Sequence, residues 1–278
     1  MACIGKIRDP EKKKRYEAAT DFIDNAASRF ETAARQLRMD VLIPEEFRPE
    51  DAGLEVPLRI TSDDLSVKLY KQRMSHKDSP GRVIYDRIRL AAPHGICPLC
   101  SVRQVKTLDH YLPRSVYSAL SVTPLNLIPA CLDCNTVKLD VHPKSEGEQT
   151  LHPYFDRVTD VRWLRCEVVE GAPAGVRFFV DEPPEWTASM TQRVRRHFSV
   201  FQLAELYAHH AVPEMSSNRS TLQMMKKVKR GEELIRSHLA EQARSALVAD
   251  LNSWQGALYE ALSSSEWYCS GGFESLAN

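Results

Sequence analysis

The chain has 278 residues, 43% apolar and 27% charged, and its 37 Lys and Arg balance 37 Asp and Glu. Such a composition gives an ordinary globular protein with material for one large domain or a few small ones, and it argues against a polycation that coats nucleic acid without specificity. Apolar runs such as Phe178–Val180 fall far short of the ~20 residues a bilayer span needs, and no apolar core follows the basic N-terminal residues as in a signal peptide.

In chain order, apolar residues from Tyr16 to Leu37 recur at three- and four-residue spacing, which predicts a helix over Pro10–Met39 with a core-facing stripe. Pro44, Pro49 and Pro57 mark a connecting loop over 41–60. Helices are expected at Asp63–Met74 and Pro80–Ala91, the second started by Ser79–Pro80. The stretch Ala92–Gly95 ends that helix. Two alternating runs around a Gly/Pro turn between Val161 and Glu182 read as a β-hairpin. Three helices are expected near 186–209, 218–247 and 251–263, followed by an irregular tail. The fold class is mainly α with a small α+β insert, divided as an N-terminal helical region over 1–92, the insert over 93–150, and a C-terminal hairpin and helices over 151–278.

With no export signal the expected location is the cytoplasm, where reduced thiols bind metal rather than pair as disulfides. Of seven cysteines, Cys3, Cys166 and Cys269 stand alone and are read as inert. The other four form two Cys-x-x-Cys pairs, Cys97 with Cys100 and Cys131 with Cys134, separated by thirty residues. Four thiolates close the tetrahedral shell of a zinc ion, so this zinc is expected to be structural and the chemistry to lie elsewhere. Asp109 and His110 end an alternating run after the first pair, and Asn135 opens a short helix carrying Lys138 after the second. Drawn together by the zinc, a carboxylate and an amide oxygen suit Mg²⁺ or Mn²⁺. Beside them a histidine serves as base, the pairing that phosphodiester hydrolysis needs.

These residues, "LDHYLP", the middle asparagine of "PLNLIPAC" and "CxxCNxxK", resemble the HNH endonucleases, the ββα-metal family, in their four-cysteine zinc form. The resemblance covers about Cys97–Lys138, with Asn135 where the family often has its last histidine. It implies a treble-clef-like zinc module between helical regions, cleaving DNA. His110 is then the general base, Asp109 and Asn135 the ligands of the catalytic metal, and Asn126 the brace of the loop that orients the histidine. Arg114 and Lys138 border the site and are expected to hold phosphate. The large flanks are similar in architecture to HNH subunits of Septu-type anti-phage systems, which pair the nuclease with an ATPase. The competing expectation is a zinc-stabilised module that binds nucleic acid or a partner without cleaving.

Other residues carry weaker expectations. His152 is read as structural, with Tyr154 and Phe155 packing around it, and His94 and His142 as turn or surface residues. Between Cys97 and Thr150, five Lys and Arg meet five Asp and Glu, so a cationic surface must come from the helices. Arg193–His197 and Lys226–Arg230 are the densest basic groups and the candidates to track a DNA backbone.

Overall fold

The computed structural model describes residues 65–117, 120–139, 143 and 145–276. The helix expected at Pro10–Met39, the loop at 41–60, Cys3 and His142 lie outside the described residues. The described chain is mainly helical with two small antiparallel sheets, and it divides into two compact units, one up to Asp156 and one from Arg157.

In the first unit, α1 spans Leu65–Leu69 and winds on as a π-helical turn over Tyr70–Met74. Helix α2 spans Arg82–Leu90. Ser79 does not cap it: Gly81 occupies the N-cap without a side-chain bond. The reason is a close approach of the two helices. Gly81 donates its N–H to the Arg73 carbonyl at 2.9 Å, and a Cβ there would lie 2.4 Å from that oxygen. Arg82 adds a 2.8 Å bond from its guanidinium to the Ser75 carbonyl.

The inner face of this pair, Tyr70, Met74, Tyr85 and Ile88, packs on Leu108 and Leu127 of a β-hairpin. In that hairpin β1, Thr107–His110, runs antiparallel to β2, Leu127–Ala130, with Asp109 opposite Ile128 and His110 opposite Leu127. The side chains of β2 are buried throughout, which its Leu-Ile-Pro-Ala sequence allows. Helix α3, Leu132–Lys138, follows directly and is capped by Cys131. The stretch Leu151–Asp156, grouped by sequence with the C-terminal region, packs in this unit. Tyr154 donates its hydroxyl to the Leu127 carbonyl at 2.8 Å, and His152 stacks on Tyr111 with ring centroids 4.4 Å apart.

In the second unit β3, Leu164–Val169, and β4, Gly175–Val180, form the expected hairpin. Asn252 anchors its start, accepting from Trp163 N at 2.8 Å and donating to the Val161 carbonyl at 2.9 Å. Helices α4 Ala188–Val200, α5 Leu203–Lys226, α6 Gly231–Ala249 and α7 Trp254–Ser264 pack around it. The breaks differ from those expected. One helix runs through Pro213, because Leu206, Tyr207, Ala211, Met215 and Leu222 are buried along it and their burial offsets the ~3 kcal/mol that an internal proline costs. The chain turns instead at Gln202 and at Arg230, both in the left-handed region with φ of 52° and 64°. The tail is not irregular: α8, Glu266–Ser270, and a 3₁₀ turn over Gly272–Ser275 bury Tyr268, Cys269 and Phe273.

Candidate metal centre and candidate active site

Two local structures bring the four cysteines together. In the first, Cys97 N bonds the Arg103 carbonyl at 2.8 Å, Ser101 N returns to the Cys97 carbonyl at 2.8 Å, and Arg103 N points at Cys100 Sγ at 3.5 Å. Ser101 takes φ of 55° to close this turn. In the second, Cys131 caps α3 with Cys134 N on its sulfur at 3.3 Å. The four sulfurs lie within 4.8 Å of one another and all four residues are buried. A tetrahedron of Zn–S bonds sets its sulfurs about 3.8 Å apart, so the cluster fits zinc with little contraction. Hydrogen bonds from Cys131 and Cys134 hold the Cys100 thiol far below its usual range, while those with Cys100 push Cys97 and Cys134 far above it. As four thiolates, sulfurs at this separation would need a cation to share the site.

From this clamp the hairpin carries Asp109 and His110, and the pleat sends neighbouring side chains to opposite faces. Asp109 faces α3. It is 3% exposed, and its Oδ2 lies 2.9 Å from the Lys138 ammonium, close enough for charge pairing yet not aligned as a hydrogen bond. Burial pushes its carboxyl up, and Lys138 opposes that. Lys138 is itself buried and donates to the His110 carbonyl at 2.6 Å. Rather than bordering the site with a charge to spare for phosphate, it is an internal partner of the strand. Asn135 is half-buried one turn before Lys138 on the same side of α3, and its side-chain amide makes no hydrogen bond among the described residues.

The His110 ring turns to the other face, against the edge of Tyr70 at 4.5 Å between centroids. Its Nε2 lies 2.9 Å from the Ser121 carbonyl. A carbonyl only accepts, so Nε2 carries the proton and Nδ1 keeps its lone pair. That Nδ1 has no hydrogen-bond partner among the described residues. Burial pushes the imidazole down to about 4, even against the Ser121 bond, so the ring is neutral at pH 7. Asn126, with no exposure, binds the loop that supplies Ser121: its Oδ1 accepts from Leu112 N at 2.7 Å, and its Nδ2 donates to the Leu112 and Leu120 carbonyls at 3.0 and 3.2 Å. Arg114 remains partly exposed and stacks over Tyr70 at 5.4 Å.

His152 is engaged at both nitrogens, Nδ1 accepting from Tyr154 N at 3.3 Å and Nε2 donating to the Leu125 carbonyl at 3.1 Å. Phe155 lies on its ring at 4.3 Å. No lone pair is left for a base or a ligand, as its structural reading requires. His94 is exposed in the turn before Cys97. The sequence reading missed Tyr70 and Ser121. Tyr70 shows only as one apolar position in a helix, and Ser121 contributes a main-chain atom that any residue would supply. The structure thus gathers Asp109, Lys138 and the His110 main chain on one face, and the His110 ring, Ser121 and Tyr70 on the other.

No family model and no solved structure matches the chain. Protein ea31 of Escherichia phage lambda is 30% identical over 218 residues, a match covering 73% of this chain and 73% of that protein. Identity of this extent over most of both sequences makes the chain a member of the family of phage lambda protein ea31.

Proposed function

We propose that this chain is an endonuclease of HNH type that hydrolyses phosphodiester bonds in DNA with the help of a divalent ion, Mg²⁺ or Mn²⁺, and a structural zinc. The observation that carries the reading is His110: a neutral imidazole fixed by a carbonyl and an aromatic edge, with Nδ1 unengaged, at the end of a strand clamped by four thiols. In this reading Nδ1 takes the proton of the attacking water. The Ser121 carbonyl, held by the loop that Asn126 braces, stabilises the imidazolium that results. Asp109 and Asn135 would hold the divalent ion on the α3 face, with the unaligned, buried Oδ2 of Asp109 as the donor atom that fits it. The phosphate would reach the His110 ring around the end of β1, whose last residue is His110. The chemistry such an ion would supply is charge neutralisation at the scissile phosphate and the leaving oxygen. Lys138 must then yield Oδ2 while keeping its bond to the His110 carbonyl, and Arg114 receives a phosphate oxygen beside Tyr70.

The resemblance extends the proposal to an effector subunit working in the cytoplasm beside an ATPase partner in anti-phage defence. Among the described residues no helix is long and apolar enough to cross a membrane. A second reading, a zinc-stabilised binding or docking module without cleavage, draws on the Lys138–Asp109 pair, because the ammonium already neutralises the carboxylate. Incubation of the purified protein with supercoiled plasmid separates the two. Nicked or linear product with Mg²⁺ or Mn²⁺, and none with EDTA, is expected; intact plasmid under every metal, with duplex still bound, favours the second reading.

A further inference from the structure

The two basic groups that stand out in the sequence are partly engaged inside the second unit. Arg193 is 2% exposed. Arg195 is paired with Glu182, Lys226 with Glu274 and Arg230 with Glu233. A third basic set, longer and with four cations in no ion pair among the described residues, lies in the first unit. From Lys68 to Arg89 there are seven Lys and Arg against two Asp, all on α1, α2 and their connection. Of these, Arg82 and Arg89 share Asp86, at 2.9 and 3.3 Å. Lys71, Arg73, Lys77 and Arg87 form no ion pair among the described residues, and Lys71, Lys77 and Arg87 are exposed.

The same helices touch the candidate base. Tyr70 and Tyr85 turn inward on the hairpin, and Tyr70 meets the His110 ring. The cations therefore occupy the outer side of a rigid platform whose inner side seats His110. Gly81 fixes that platform by backbone contact. Arg114, over Tyr70, carries positive charge on toward His110.

We infer that the α1–α2 pair is the surface on which the phosphate backbone of the DNA duplex lies, with Arg114 leading it to His110. This rests on the nuclease reading and adds where the substrate binds. Charge complementarity selects the occupant: a polyanion with regularly spaced phosphates neutralises several unpaired cations at once, releasing a counterion at each contact. Val83, Ile84 and Leu90, exposed on α2, are the one feature a protein partner would prefer.

The test uses the full chain and a labelled DNA duplex in Ca²⁺, titrated over a range of salt. Combining Lys71→Glu, Lys77→Glu and Arg87→Glu alters only exposed side chains, and an unchanged melting temperature checks the fold. Binding is expected to weaken roughly tenfold or more, and the slope of log K against log salt to shrink by about 3. Lys227→Glu with Lys229→Glu, exposed in the second unit, is expected to bind as wild type. Wild-type binding by the triple variant overturns the inference, whether the helices serve a protein partner or only solvent. If the wild type binds no duplex and cleaves none, the nuclease reading falls with it; if it binds and cleaves while the triple variant is unaffected, only the inference falls.

Discussion

A lysine ending a short exposed helix is ordinarily solvated, yet Lys138 is 3% exposed because α3 is drawn onto β1 and its stem is covered there. Its ammonium answers two buried acceptors, Asp109 Oδ2 and the His110 carbonyl. Lys138→Met removes that charge and leaves a buried carboxylate alone, at a cost of roughly 3–5 kcal/mol. Adding Asp109→Asn should return much of this loss in a denaturant melt; a Lys138→Met protein as stable as wild type would mean that the pair is not buried in solution. Asn126→Ala strands the Leu112 N–H, a loss of about 1–3 kcal/mol for each buried polar group. It should also slow cleavage, since the loop carrying the Ser121 carbonyl loosens. A variant as stable and as fast as wild type would show that the loop needs no brace.

At the scale of elements, the thiol cluster joins a turn and a helix cap that are otherwise tied by the 2.8 Å Arg103–Asp133 pair at the surface and by the Lys106 N–H on the Ala130 carbonyl at 2.9 Å. Structural zinc in small modules contributes roughly 10–16 kcal/mol of apparent binding free energy. One zinc per chain is expected by elemental analysis. Cys131→Ser should melt the β1–β2–α3 module while the helices of the second unit retain their circular dichroism. Folded wild-type protein without zinc would contradict this. The module was the most legible part of the sequence because its chemistry sits in residue types with few other uses: paired cysteines, Asp-His, a buried asparagine. Helix boundaries were less legible. Pro213 reads locally as a break, yet five buried positions decide otherwise, and the real turn at Gln202 lacks the glycine that a left-handed residue usually announces. The directions of Asp109 and His110 were hidden as well, since adjacency in sequence becomes opposition across a strand.

Across the whole molecule, zero net charge conceals an uneven distribution. Composition argued for a cationic surface outside the insert, and runs of like residues pointed to the second unit. Salt bridges to Glu182, Glu233 and Glu274 engage Arg195, Arg230 and Lys226 of those runs and leave Lys227 and Lys229 exposed, whereas the cations of α1 and α2 are spread along the sequence and gathered by helical geometry. The central claim remains that His110 removes a proton during phosphodiester hydrolysis. Plasmid cleavage by wild type, His110→Ala and His152→Ala, measured at saturating Mn²⁺ with each variant shown to be folded, tests it most directly. His110→Ala should bind duplex as wild type and lose about 10²–10⁴ in rate, while His152→Ala, at both nitrogens a structural group, should lose stability more than turnover. A His110→Ala protein that cleaves at the wild-type rate would contradict the account.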